Sequence, residues 1–344
     1  MRTSLSLPAA VLVAAITSVP ASAAAQSGVN YRIRAEYKLQ GAGPVGDLWL
    51  DAASRRLYVA HGERVEVLDV DTGRREGSMP AQDAAGVLIA QGTGHGFFTN
   101  RSGNSVAVFD PANLSVLKTI PLPAKGPESL VYDPDAQKVF VVAPDSGEVF
   151  ALDAHTGEVA GTVALKGHLR QAVTNGMGSL FVAVQDLNAI DVVDTHTLKF
   201  LGAFPSGDAQ GPVSLAIDPS GRRLFVACAD GKLPVIDTDI GFTFEELAIG
   251  SDNAGSVFTF TPQGKGGWKG ADFVASADGT LALVKMNAFI NYSVGGSVPI
   301  PKDVHAVAYD PKTHWIFLSQ SAPAPEVVVM APQCACESAA EVTR

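Results

Sequence analysis

Cysteine is scarce in this chain: Cys228, Cys334 and Cys336 are the only three in 344 residues. An odd count leaves at least one thiol unpaired within the chain, so no disulfide framework organises the fold. Cys334 and Cys336 are separated only by Ala335, a spacing that strains an internal bridge. Cys228 falls in an apolar run and reads as a small core residue.

Positive charge is also short. Lys and Arg number 25 against 35 Asp and Glu, for a formal net charge of −10. Such a surface repels phosphate backbones and anionic lipid, which argues against nucleic acid as a partner. Past the first 25 residues no apolar run approaches the length of a membrane span. Catalytic signatures are missing as well. There is no G-x-S-x-G elbow, no phosphate-binding glycine loop leading into a helix, and no C-x-x-C-H haem site. The seven histidines are scattered, with no zinc spacing among them. Asp-Pro and Asp-Gly pairs recur as turn formers, but the acids are too sparse for calcium loops. No cofactor is expected.

Residues 1–25 read as a signal peptide. Arg2 supplies the positive start, Leu5 to Val19 the apolar stretch, and Ala21-Ser22-Ala23 or Ala23-Ala24-Ala25 the small-residue cleavage site, after Ala23 or Ala25. The expected address is therefore exported, periplasmic or extracellular. Residues 26–332 form one domain, and residues 333–344 a C-terminal tail.

What the chain has in abundance is a repeat. Ser214–Asp237 contains three short strands separated by the turns Asp218-Pro219-Ser220-Gly221 and Ala229-Asp230-Gly231. Gly221 and Gly231 are expected at positive φ. The aromatic of the second strand recurs at Tyr58, Phe98, Phe140, Phe181, Phe225, Phe273 and Phe317. An aspartate ends the third strand at Asp69, Asp110, Asp153, Asp194 and Asp237. A fourth, amphipathic strand follows, as in Val116–Leu122. Four strands every ~40–45 residues is the pattern of a β-propeller blade.

Seven such units fill the chain, but the seventh has only three strands, ending at Glu326–Met330. Tyr31–Leu39 stands alone before the first unit and alternates apolar with charged residues, Tyr31, Ile33, Ala35, Tyr37 and Leu39 facing one way. It has the length and pattern to complete the last blade and remove the open edge. The expected fold is all-β: a seven-bladed β-propeller of four-stranded antiparallel blades, closed by the N-terminal strand. The sixth unit departs from the rest through the glycine-rich stretch Gln263–Gly270, expected as a mobile loop carrying Trp268.

Over roughly Val45 to Met330 the chain resembles the YncE-like, YVTN-type β-propeller family. Leu57-Tyr58-Val59-Ala60 and Phe97-Phe98-Thr99-Asn100 followed by Ser105-Val106-Ala107-Val108-Phe109-Asp110 look like its repeat core. Phe225–Gly231 with Val235-Ile236-Asp237, and Asp310–His314, are similar to other recurring segments. The resemblance implies an exported, bacterial propeller. It implies no substrate, because the family's motifs are strands and turns.

In a propeller the loop entering each innermost strand opens on the central channel. The seven units align on the residue ending the first strand: Asp51, Gln91, Asp133, Asn175, Asp218, Thr261 and Asp310. Five positions earlier lie Gly46, Gly86, Glu128, Arg170, Val213, Ser256 and His305, and the next positions add Asp47, Ser129, Gln171 and Ser214. Candidate ligand-binding residues are thus Glu128, Arg170, His305, Asp47 and Gln171. Arg170 has the planar fork that clamps a carboxylate or phosphate. Glu128 and His305 have the chemistry of an acid and a base, or of metal ligands. In the competing structural reading, Glu128 and Arg170 neutralise each other across the pore. The expected function is an exported binding protein or scaffold, taking a small polar ligand, peptide or partner protein at the channel face as a monomer. A lactonase-like or other metal-dependent hydrolase, and a structural component of the cell envelope, are the alternatives.

Overall fold

The computed structural model describes residues 31–220, 222–263, 267–288 and 291–333. The expected signal peptide, Gly221, Cys334 and Cys336 lie outside the described residues, as does the side chain of Trp268. Runs such as Lys138–Ala143 (KVFVVA) and Ser179–Val184 (SLFVAV) are buried on both sides, so β-branched and aromatic residues fill them without alternation. Each continues antiparallel into the next strand across a tight turn.

The recurring aspartate tightens the next turn, between the third strand and the fourth. Asp153 Oδ1 accepts the backbone N–H of His155 at 3.0 Å and of Thr156 at 2.7 Å. Asp194 does the same for His196 and Thr197. These N–H groups, that of Thr156 or Thr197 foremost, hold both carboxyls below the ordinary aspartate range. Gly231 takes φ 84°, as its turn requires.

Seven antiparallel sheets result. Blade 3 runs outward through Ser129–Asp133, Lys138–Ala143, Glu148–Asp153 and Val159–Ala164. In blade 1 the second and third strands form one continuous element, Arg56–Asp69, doubled back at Gly62 so that Val70 N bonds to Arg55 O at 3.0 Å. Each inner strand contacts the next, and that of blade 7 contacts that of blade 1, so the ring is closed. Seven hydrophobic clusters follow, one between each pair of neighbouring blades. Among the described residues no helix is long and apolar enough to cross a membrane.

Tyr31–Lys38 pairs antiparallel with Glu326–Pro332 and completes blade 7. Its five apolar residues do not all face one way, however. A bulge at Arg34 shifts the register between Ile33 and Ala35. Tyr31 therefore packs into the cluster between blades 6 and 7, while Tyr37 and Leu39 enter the one between blades 7 and 1. Ile33 is left exposed, and Arg34 lies 4.4 Å over the Trp315 ring.

The glycine-rich stretch of blade 6 is also not simply a loop. Its inner strand extends over Asn253–Gln263 and the second over Gly267–Ser276, making a hairpin longer than in any other blade.

Candidate functional site

All seven blades meet at a funnel where their inner strands begin. The cavity measures about 320 Å³ and opens to solvent. Asp47, Glu128, Arg170, Gln171 and His305 all line it, with Ser129, Val213 and Ser214 beside them. Residues far apart in sequence thus share one wall, as their common place in the repeat implies.

Local backbone explains why these positions face the channel. The register slips between Val45 and Leu48, between Leu169 and Ala172, and between Val304 and Ala306. These bulges turn Asp47, Arg170, Gln171 and His305 out of the blade plane. Glycine then lets the ring draw tight. A Cβ on Gly46 would overlap the Ala85 carbonyl oxygen, and one on Gly86 would overlap that of Glu128. In their absence Asp47 N donates to Ala85 O at 2.8 Å, and Thr99 Oγ1 bridges Gly86 N at 2.8 Å to Glu128 O at 3.4 Å.

The alignment fails in blade 6. Ser256, expected at the channel, is buried, and its hydroxyl donates to Asp272. The funnel instead receives Asp252, Asn253 and Ala254. The slip here lies between Asn253 and Gly255, so Ala254 is the counterpart of His305. Thr261 does not end the inner strand, which continues to Gln263. Asn253 is fixed by donating from Nδ2 to Cys228 O and accepting from Ser276 Oγ at 2.8 Å. Sequence reasoning missed Asp252 because the longer strand displaced the counting frame.

Charge is unevenly spread. Asp47 is half-exposed at the wall yet deep within the ring. Burial pushes its carboxyl up to about 7, and the Glu128 charge adds to the rise. His305 Nε2 lies 3.6 Å from Asp303 Oδ1. Among the described residues no ion pair within 4.0 Å joins Arg170 to Glu128, so mutual neutralisation by contact is not how these two residues are held. Gln171 Oε1 accepts Leu215 N–H at 2.8 Å. Ser214 Oγ is buried without a partner. Among the described residues no group of three or more His, Cys, Asp or Glu is placed to hold a metal ion.

No family model matches the chain, and no curated protein does. Among solved structures it is similar to that of U3-55K, with a TM-score of 0.72 at 10% identity over 88% of this chain and 98% of that one. At that identity the likeness carries the fold alone. The chain is a seven-bladed β-propeller whose blades each hold four antiparallel strands. That fold suits a binding or scaffold role and hosts many unrelated activities.

Proposed function

We propose that this protein is an exported propeller of the YncE-like type that binds a small polar ligand in its central funnel, with Arg170 holding a carboxylate or phosphate on that ligand. One observation carries the reading: Arg170, half-buried in the wall, has no ion-pair partner among the described residues while four other polar candidates line the same cavity. A guanidinium held there without a carboxylate in contact is available to an incoming anionic group. The cavity, about 320 Å³, is at the lower end of the range for small-molecule sites. Export and the family resemblance rest on the N-terminal residues and repeat segments quoted above.

Native mass spectrometry of the purified protein, incubated with a mixed library of small carboxylates, amino acids among them, and phosphates, tests this. Retained ligand is expected with the wild type and not with Arg170→Ala, whose melting temperature should stay within about 2 °C because a solvated wall residue contributes little to stability. Equal retention by both proteins, or none by either, overturns the reading.

A further inference from the structure

The funnel wall is divided by hydrogen-bonding character. Blades 1 and 3 present the carboxylates of Asp47 and Glu128, with the Ser129 hydroxyl beside the latter. Blades 4 and 5 present donors. Arg170 brings its guanidinium. Gln171 has its oxygen tied to the Leu215 N–H, which leaves its amide NH2 as the free end. Ser214, 2% exposed, has a hydroxyl with no partner.

The acceptor side also contains a gap. Blade 2 stands between blades 1 and 3 and brings no side chain larger than Ala85 to the wall. Gly86 beside it has no side chain, and backbone packing excludes one. The Asp47 and Glu128 side chains therefore stand on either side of a notch that holds no side chain beyond the Ala85 methyl.

A simple anion fits this wall poorly. Three carboxyl groups line it, those of Asp47, Glu128 and Asp252, against the Arg170 guanidinium and the His305 imidazole, and a cation beside Asp47 favours the charged form that burial opposes. An anion held by Arg170 is repelled by the rest, whereas a group carrying its own positive charge turns that repulsion into attraction.

Resting on the reading that Arg170 anchors the ligand, we propose that the ligand is a primary-amine zwitterion, a free amino acid or a short peptide with both ends uncapped. Its carboxylate lies on Arg170, Gln171 and Ser214, and its ammonium lies in the notch between Asp47 and Glu128. An ammonium has three donors and no acceptor, matching a pocket of two carboxylates. Unlike a metal ion, it does not need the third protein ligand that this cluster lacks.

Titration calorimetry with each of the twenty standard amino acids and with alanyl-alanine gives the test. Whichever binds is then compared with its N-acetyl form, which keeps only the anion, and its amide, which keeps only the cation. The zwitterion is expected to bind at least tenfold tighter than either capped form. Asp47→Asn combined with Glu128→Gln should erase the penalty for N-acetylation, and Arg170→Ala the penalty for amidation. Preference for the free amino acid over alanyl-alanine, or the reverse, separates the two sources. If the N-acetyl form binds as tightly as the zwitterion, the ammonium notch is wrong and the Arg170 site stands. If no amino acid or dipeptide binds, the zwitterion is wrong, and the carboxylate and phosphate library decides separately whether Arg170 binds anything.

Discussion

At the scale of single residues, the most consequential group outside the funnel is Asp272. It is fully buried in the second strand of blade 6, where the Ser256 hydroxyl reaches both carboxylate oxygens at 2.7 and 2.9 Å. Burial pushes its carboxyl up to about 7, against a smaller downward pull from that hydroxyl. An unfolded aspartate titrates near 4. Between those values the folded chain keeps a proton that the unfolded chain has released, so stability is full below about pH 4 and falls as pH rises through about 7. Asp47 and Asp191 shift in the same direction, to about 7 and about 6, and add to the slope. Asp272→Asn keeps the shape and the Ser256 bond but removes the titration. Melting curves from pH 4 to pH 8 should show a shallower decline for the variant, with a gain on the order of 1–3 kcal/mol at pH 8. Identical slopes would mean that Asp272 is hydrated in solution. None of this was legible in the sequence, where Asp272 has the same appearance as the aspartates of the turns. Only the three-dimensional neighbour Ser256 distinguishes it.

At the scale of the element, strand identity was readable and strand register only partly so. Apolar runs, turn pairs and the recurring aspartate located the blades, because each reflects a local requirement for burial or for capping backbone N–H groups. Bulges are less visible. The one at Arg34 reverses which face Tyr31 presents, and those at Ala254 and His305 interrupt the inner strands of blades 6 and 7. Each adds a residue without altering composition, so period-two counting passes over it. Bulges of the same kind aim Asp47, Arg170, Gln171 and His305 at matching distances from their strand ends, so counting back found them, whereas in blade 6 the inner strand runs on to Gln263 and the count missed Asp252. The glycines of the inner strands give the prediction at this scale. Gly86→Ala would drive a Cβ into the Glu128 carbonyl oxygen, a backbone atom that no rotamer change can move. A loss of about 1–3 kcal/mol is expected by denaturant melting, together with weakened binding in the funnel, since the backbone displaced is that of Glu128. Wild-type stability in this variant would show that the inner strands do not pack as closely as described.

At the scale of the whole molecule, stability is divided among seven interfaces arranged in a circle, each blade packing only on its two neighbours. Such a ring has no capping units, so its weakest point is where the two ends of the chain meet. That seam depends on Tyr31–Lys38 and the residue after it. Tyr37 and Leu39 enter the core between blades 7 and 1, with Tyr37 OH donating to Val70 O at 3.0 Å. Tyr31 stacks edge-on to Phe273 in the core between blades 6 and 7, with its hydroxyl on His314 O at 3.1 Å. One strand thus secures two of the seven interfaces. Burying a side chain of this size contributes roughly 1.5–3 kcal/mol, and a whole domain retains only about 5–15 kcal/mol. Deleting residues 26–39 should therefore remove on the order of 5 kcal/mol and leave Glu326–Pro332 as an open edge ready to pair with another chain. Thermal melting is expected to show a large fall in Tm, and light scattering an association that rises with concentration. Adding residues 26–40 back as a free peptide should reverse both, because the missing partner is a strand and not a change in the rest of the fold. An unchanged Tm in the deleted chain would refute closure through the N-terminal strand.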